Sequence, residues 1–253
     1  IAFGGGSGLD LGKMVAFMAG QTRPVWDFED IGDWWTRADA AAIAPIVAVP
    51  TTAGTGSEVG RASVITNSET HEKKIIFHPK VLPTVVICDP ELTMGMPAMI
   101  TAGTGLDAFA HCVEAFSSPF YHPMSQGIAL EGMRLVKDYL PRAYQNGQDL
   151  EARAQMMSAA MMGATAFQKG LGAIHAMSHP IGAHFNTHHG TTNAVCMPTV
   201  LAFNADAIRD RFDTASAYLG IDGGFDGFRA FVQDLNDSLN IPHTLSDLGV
   251  TEE

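Results

Sequence analysis

Residues 1–7 read Ile-Ala-Phe-Gly-Gly-Gly-Ser, a short apolar run that passes directly into a glycine turn. A helical pattern follows from about Gly8, so the stretch predicts a strand, a tight turn and a helix in succession. Glycines let the backbone approach an anion, and the amino terminus of a helix supplies N–H groups and partial positive charge. The turn therefore indicates a phosphate cradle, although a tight strand-to-helix turn without a ligand would also require glycine.

A second polar loop follows the next predicted strand, at residues 45–49. Residues 50–58 read Pro-Thr-Thr-Ala-Gly-Thr-Gly-Ser-Glu. Hydroxyl side chains and glycines together suit a phosphate-bearing or ribose-bearing ligand, because hydroxyls donate hydrogen bonds without adding charge. A capping loop with Thr55 or Ser57 at a helix start is the alternative. Two such loops at the ends of neighbouring strands favour a nucleotide site.

Composition excludes several classes of protein. The chain has 253 residues, of which 46% are apolar and 17% charged, and its net charge is −12. Such a chain buries a substantial core, and its acidity disfavours nucleic acid and anionic membranes as partners. No apolar run approaches the roughly 18–20 residues of a membrane span. Cys88, Cys112 and Cys196 form no Cys-x-x-Cys pair, which indicates reduced thiols, and we expect a cytoplasmic protein.

The chain divides into two parts by its patterns. Strand signals at 1–3, 45–49, 74–77 and 84–88 predict an α/β part with a partly parallel sheet and crossover helices. From Pro97 onward, helical patterns cover 100–116, 123–139, 150–167, 171–183, 191–203 and 225–239, with Pro141, Gly147, Gly170 and Pro242 as turn or cap residues. We therefore predict an α/β domain over 1–92 and an all-helical domain over 93–253.

Histidines and one aspartate carry the strongest chemical signal. Five of the ten histidines lie within fifteen residues: His175, His179, His184, His188 and His189. Asp107 and His111 are four apart in an apolar stretch, so on a helix they share a face with Cβ atoms about 5–6 Å apart. A buried Asp needs a partner, and a mixed Asp and His set suits Fe(II) or Zn(II).

Spacing alone does not choose the ligands among the five histidines. His175 and His179 could share a helix face, although Pro180 disturbs the turn that follows. His189 precedes Gly190, at a loop or a helix start. Histidines that only form hydrogen bonds in the core are the alternative.

These motifs together resemble the iron-containing (group III) alcohol dehydrogenases, over nearly all of the chain up to about Asn204. The resemblance rests on Gly4-Gly5-Gly6-Ser7 with Asp10 and Lys13, on residues 50–58, on Asp89-Pro90-Glu91-Leu92-Thr93, on Gly105-x-Asp107-Ala108-x-x-His111-x-x-Glu114-Ala115, on Gly172-x-x-His175-x-x-x-His179-Pro180-x-Gly182 and on His189-Gly190-x-x-Asn193-Ala194. It implies a dehydroquinate synthase-like architecture. An incomplete Rossmann-like dinucleotide-binding domain at 1–92, lacking its first strands, would precede a helical metal-binding domain at 93–253 that lacks its carboxyl-terminal end.

The resemblance also implies roles for individual residues. Asp107, His111, His175 and His189 match the metal ligands, and His179 matches a histidine beside the substrate. Gly5, Gly6 and Ser7 match the pyrophosphate-binding turn, and Thr51, Thr52 and Lys73 match dinucleotide contacts. The sequence departs from the family at Gly12, at Gly60, where one hydroxyl contact to the cofactor is lost, and at His188, which could compete for metal.

The function implied is that of a metal-dependent alcohol dehydrogenase. Hydride would pass between an alcohol, or an aldehyde or ketone in reverse, and NAD or NADP, with Fe(II) or Zn(II) as Lewis acid. His179 would relay a proton or bind the substrate, or else orient a ligand. The family usually forms homodimers or larger homo-oligomers. Its additional segment before the glycine turn meets the adenosine ribose, so the choice between NAD and NADP stays open, as do a metallohydrolase and a non-catalytic metal-binding fragment.

Overall fold

The computed structural model describes residues 1–70 and 72–251 and places all of its strands in the first part of the chain. The strands are β1 (Ala2–Gly4), β2 (Val47–Pro50), β3 (Ala62–Asn67), β4 (Glu72–Phe77) and β5 (Val85–Val86). A parallel sheet has the order β1-β2-β5, and β3 pairs with β4 in a separate antiparallel hairpin. Gly4 lies opposite Pro50, so the glycine turn and the hydroxyl-rich loop leave the same edge of the sheet.

Helices make up most of the described chain beyond β5. They are α2 (Ala98–Ser117), α3 (Pro123–Gln145), α4 (Leu150–Ala166), α5 (Ala173–Phe185), α6 (His189–Phe203), α7 (Ala205–Leu219) and α8 (Gly224–Ser238), whereas α1 (Gly6–Met18) follows β1. Helix α2 packs against α3, α4 and α6 and is buried from Thr101 to Phe116. Any polar side chain on this helix therefore needs a partner inside the protein.

Gly12 allows α1 to lie directly against β1. A Cβ atom at Gly12 would lie 2.6 Å from the Cβ of Ala2. The family departure at this position therefore has a packing reason, because this distance leaves no room for a side chain.

The predicted strands correspond to β1, β2, β4 and β5, whereas no strand was predicted at β3, and the prediction that β4 belongs to the partly parallel sheet is wrong. β4 pairs only with β3 among the described strands and does not extend the parallel sheet. β3 was missed because its pattern is inverted: polar Ser63 and Asn67 are buried, while 41% of Val64 is exposed. Asn67 accepts hydrogen bonds from the N–H groups of Glu69 and Thr70, which forms the hairpin turn.

One proline prediction was wrong: Pro141, expected as a turn or cap residue, lies inside α3. Pro180 lies within the helix predicted over 171–183, and α5 continues past it to Phe185. Leu140 and Ala143 beside Pro141 are buried, so packing outweighs the loss of one backbone hydrogen bond.

Helix α7 was also missed. Its buried Ile208, Phe212, Ala215 and Leu219 follow the spacing of an amphipathic helix between charged residues. The last two residues of the predicted helical domain, Glu252 and Glu253, lie outside the described residues.

The three cysteines are free thiols, with Cys112 and Cys196 buried and Cys88 half-buried. Within the described residues, every helix is too short or too polar to cross a lipid bilayer.

Candidate active site

Asp107 and His111 lie one turn apart on the buried helix α2. Only 3% of Asp107 and 5% of His111 is exposed. The Nε2 atom of His111 lies 3.7 Å from Oδ1 of Asp107. Asp107 and His111 therefore share one face of α2, as predicted, and their side chains meet inside the protein.

The other histidines come from the two helices on either side of the turn at 186–188. His175 and His179 lie on α5, and His189 is the first residue of α6. Asn186 has a positive φ of 52°, a left-handed conformation that asparagine tolerates well at a helix end. The chain therefore reverses sharply and brings the start of α6 back toward His175.

Three of the predicted ligands converge on one point. Oδ1 of Asp107 lies 3.5 Å from Nε2 of His175 and 3.4 Å from Nε2 of His189. One ligand atom from each of these residues falls within 4.8 Å of the others. Donor atoms about 2.0–2.1 Å from a tetrahedral divalent ion would lie about 3.3–3.4 Å apart, so the spacing fits such an ion.

His111 stands beside this group of three. Its ring stacks on the ring of His175, with centroids 4.8 Å apart and planes 13° from parallel, and it also contacts Phe167. Its buried Nδ1 atom has no hydrogen-bond partner among the described residues. His111 thus contributes a fourth nitrogen next to Asp107, although it does not share the close spacing of the other three.

His179 and His188 lie outside the group. The ring of His179 is 5.2 Å from that of His189 and 5.8 Å from that of His175, and it faces the same cavity. His188 instead caps α6, because its Nδ1 accepts a hydrogen bond from the N–H of Thr191. The expected competition of His188 for metal is therefore not supported by its position.

Electrostatics favour a cation at the group. Burial works to raise the pKa of Asp107, but the neighbouring imidazoles hold that pKa well below its usual range. Burial lowers the pKa of His111 to about 4. Burial opposes the charged form of His175 too, yet the carboxylates of Asp107 and Glu114 raise its pKa to about 9. A metal ion could supply the positive charge in place of that proton.

Asn193, for which the sequence motif indicates no role, lies at the centre of the site. Its Nδ2 atom donates to Oδ1 of Asp107 at 2.9 Å and lies 3.2 Å from Nε2 of His175 and 3.3 Å from Nε2 of His189. Asn193 lies one helical turn after His189, and this spacing was the signal that could have identified it.

Glu114 belongs to the motif at 105–115, which by itself indicates no role for it. It lies on the same face of α2 as Asp107, two turns further on, and is buried. Its carboxylate contacts His175 on the ring nitrogen that faces away from Asp107. The seven-residue spacing from Asp107 places it on the same face of the helix.

The glycine turn packs closely against the hydroxyl-rich loop. A Cβ atom at Gly5 would lie 3.1 Å from Cγ2 of Thr52, and one at Gly6 would lie 2.7 Å from Cγ2 of Thr55. The N–H of Thr51 donates to the carbonyl of Gly4. Glycine at these two positions therefore allows the turn and the hydroxyl-rich loop to pack this closely.

The buried side chain of Lys13 holds the hydroxyl-rich loop in place through hydrogen bonds to Ser57. The Nζ atom of Lys13 donates to the carbonyl of Ser57 at 2.9 Å and contacts its Oγ at 3.0 Å. The Ser57 hydroxyl in turn donates to Asp10, and a backbone N–H from β3 completes this carboxylate's partners. Burial lowers the pKa of Lys13, while the carboxylate of Asp10 opposes that shift. Asp10 and Lys13 thus fix the loop to α1.

One cavity of about 440 Å³ joins the two halves of the site. Its lining includes Gly6, Ser7, Thr55, Lys73, Asp107, His111, His175, His179 and His189. Gly5, Thr51 and Thr52 are not among the residues that line this cavity; Thr52 packs against Gly5, and the N–H of Thr51 donates to the carbonyl of Gly4. A ligand held at the glycine turn would therefore extend along the same space that the imidazoles face.

The fold and the cavity define a class of protein with a dinucleotide-type turn beside a site of aspartate and histidine side chains. Comparison with known families agrees. The model for iron-containing alcohol dehydrogenases matches residues 1–90, and the model for the carboxyl-terminal part of the same family matches residues 101–253. The chain belongs to the iron-containing alcohol dehydrogenase family.

Individual relatives support the same conclusion. The chain is 44% identical to 4-hydroxybutyrate dehydrogenase of Cupriavidus necator and 36% identical to NAD-dependent methanol dehydrogenase of Bacillus methanolicus, covering 100% of this chain and 68% and 67% of those proteins. These names are those of dehydrogenases and give no support to the hydrolase alternative.

Solved structures show the same fold. A 1,3-propanediol oxidoreductase superposes with a TM-score of 0.92 at 37% identity, over 99% of this chain and 66% of that one. Sulfoacetaldehyde reductase from Bifidobacterium kashiwanohense, in complex with NAD+, superposes with a TM-score of 0.91 at 32% identity, over 99% and 66% of the two chains. The chain thus spans about two thirds of the length of these relatives.

Proposed function

We propose that this protein is a metal-dependent alcohol dehydrogenase that interconverts an alcohol and its aldehyde or ketone, with NAD(P) as the hydride acceptor or donor. The observation that carries the proposal is the shared cavity, which is lined by Gly6 and Ser7 of the glycine turn and by Asp107 and four histidines. Hydride transfer needs the nicotinamide and the alcohol carbon side by side, and one continuous space provides for that. Residues 1–92 would bind the dinucleotide, and residues 93–253 would bind the metal.

Asp107, His111, His175 and His189 would hold the metal ion. The distances among Asp107, His175 and His189 support a divalent ion, and three imidazoles with one carboxylate suit Fe(II) or Zn(II). When bound, such an ion supplies a Lewis acid that polarises the oxygen of the alcohol or carbonyl substrate.

His179 is our candidate for the residue that contacts the substrate. It lines the cavity next to His189 but stands outside the group of three ligand atoms. Its ring would accept a hydrogen bond from the substrate hydroxyl or relay its proton.

Gly5, Gly6 and Ser7 would receive the pyrophosphate at the amino terminus of α1, where backbone N–H groups point outward. Thr51 and Thr52 of the adjoining loop would contact the dinucleotide. Lys73 on β4 would bind a polar group of the cofactor from across the cavity. The NAD named with two of the relatives supports NAD as the cofactor.

The named relatives act on small alcohols, among them 4-hydroxybutyrate and methanol. We extend this to a small alcohol or aldehyde substrate for the present protein. Its net charge of −12 supports a protein that binds neither nucleic acid nor anionic membranes. We further propose that the protein is cytoplasmic and forms a homodimer or a larger homo-oligomer.

Absorbance of reduced nicotinamide tests this function directly. The protein is incubated with NAD or NADP and a panel of short alcohols, with and without added Fe(II) or Zn(II). We expect reduced nicotinamide to form only when dinucleotide, alcohol and metal are all present. Absence of turnover in every combination, or hydrolysis of an ester without dinucleotide, would overturn the proposal.

A further inference from the structure

Glu114 contacts His175 on the side of the ring that faces away from the proposed ion. Its Oε2 atom lies 2.5 Å from Nδ1 of His175, and its Oε1 accepts a hydrogen bond from the N–H of Ile174 at 2.6 Å. Both residues are buried, with 4% of Glu114 and 3% of His175 exposed. The contact therefore takes place without competing water.

This contact decides which ring nitrogen of His175 is free. A carboxylate only accepts hydrogen bonds, so the nitrogen beside it must carry the proton. With the proton on Nδ1, the lone pair of a neutral ring lies on Nε2. Nε2 is the atom that lies 3.5 Å from Oδ1 of Asp107.

The surrounding chain is arranged around the same carboxylate. Ile174 is the second residue of α5, so Glu114 also meets the positive end of that helix. A Cβ atom at Gly172 would lie 3.0 Å from Oε1 of Glu114. Glycine at 172 thus leaves room for the carboxylate between α2 and α5.

Resting on the proposed function, we propose that Glu114 is a positioning residue of the metal centre, which fixes the tautomer and orientation of His175 so that Nε2 faces the ion. Carboxylate partners of ligating histidines typically change metal affinity by about 10- to 100-fold. His111 offers a contrast, since its Nδ1 lacks a hydrogen-bond partner in the described part of the chain. Its ring is held by stacking on His175 and Phe167 instead.

The variant Glu114→Gln tests the role with little change in shape. Its amide oxygen can still accept from Ile174, but its NH2 group would then face Nδ1 and favour the proton on Nε2. We expect the affinity for Co(II), measured against a chromophoric chelator, to fall by about 10- to 100-fold, and the Co(II) absorption bands to shift. The melting temperature of the metal-free protein should stay close to that of the unchanged chain.

Two further variants give the comparison. Glu131→Gln changes a glutamate that pairs with Arg134 on α3 and should leave Co(II) binding unchanged. In a His175→Ala background, titrated with excess Co(II) so that weak binding by the remaining ligands is measured, Glu114→Gln should produce no further loss of Co(II) affinity, because the residue it positions is gone. An equal loss in both backgrounds, or a large fall in metal-free melting temperature, would assign Glu114 a purely structural role and overturn the inference.

The outcomes also separate this inference from the proposed function. If His175→Ala loses Co(II) while Glu114→Gln binds it like the unchanged chain with the same spectrum, the positioning role fails and the metal site stands. If His175→Ala itself keeps normal Co(II) affinity, the proposed metal site fails. Should Glu114→Gln not fold, NMR of the Zn(II)-loaded unchanged protein decides: a strongly hydrogen-bonded proton on Nδ1 of His175 supports the role, and an unprotonated Nδ1 contradicts it.

Discussion

Asn193 donates a hydrogen bond from Nδ2 to Oδ1 of Asp107 at 2.9 Å, which joins α6 to α2 at the centre of the site. No part of Asn193 is exposed to solvent. Because Asp107 is also buried, this bond replaces water that its carboxylate would otherwise bind. The amide therefore holds the carboxylate oxygen toward the imidazoles of His175 and His189.

Replacing Asn193 with Ala should weaken metal binding by about 10- to 100-fold, because the Asp107 carboxylate loses a partner that orients it. The free energy of unfolding should fall by about 1–3 kcal/mol, since a buried acceptor is left short of a donor. Chelator competition and urea denaturation measure the two effects. Asn236→Ala is the matched control, because Asn236 on α8 is also buried and donates a hydrogen bond to the carbonyl of Ala194 on α6. It should lower stability and leave metal affinity unchanged; a similar affinity loss in both variants would contradict the prediction.

Replacing His175 or His189 with Ala should abolish both bound metal and turnover, because each removes one nitrogen from the group of three ligand atoms. Elemental analysis of the purified variants measures the metal. The neighbouring His188→Ala is the control: it removes only a helix cap and should reduce stability by at most about 1 kcal/mol with normal metal content. Normal metal content in either ligand variant would refute the ligand assignment.

Replacing Gly6 with Ala should raise the KM for the dinucleotide by about tenfold or more, equivalent to roughly 1.4 kcal/mol of binding free energy. The added Cβ would lie 2.7 Å from Cγ2 of Thr55 and would push the two loops apart. Combining it with Thr55→Ser removes that methyl group and should recover part of the loss. Steady-state kinetics with varied dinucleotide provide the measurement, and an unchanged KM in the Gly6→Ala variant would show that the turn does not bind the cofactor.

Replacing Gly12 with Ala should destabilise the protein by about 1–3 kcal/mol, because the new Cβ would collide with Ala2 of β1. Gly127 on α3 has no atom within 4 Å of its hypothetical Cβ, so Gly127→Ala should instead stabilise by up to about 1 kcal/mol. Thermal and urea unfolding of both variants give the comparison. Equal effects of the same sign would mean that α1 and β1 are not packed as closely as the structure shows.

Local sequence patterns predicted most of the fold. The glycine turn after β1 and the long helical patterns from Pro97 onward predicted the α/β part and the helical part, since backbone preference and apolar spacing act over a few residues. The misses came where tertiary packing reversed the pattern. β3 buries Ser63 and exposes Val64, and Pro141 continues a helix whose neighbours are buried.

The candidate site divides in the same way. Four-residue spacing on one helix predicted that Asp107 and His111 share a face, and resemblance to the family supplied His175 and His189. Spacing places Glu114 on the face of Asp107 and Asn193 one turn after His189, but it does not reveal what they contact, because their partners are 61 and 86 residues away along the chain.

The sequence by itself determined which residue types are available, where the helices and most strands form, and which side chains share a helix face. Only the tertiary structure decided that α2, α5 and α6 meet so that Asp107, His175 and His189 face one point, and that Glu114 and Asn193 orient them. The physical reason is that helix spacing is a property of a few consecutive residues, whereas the distance between two helices depends on how all of their buried side chains pack together.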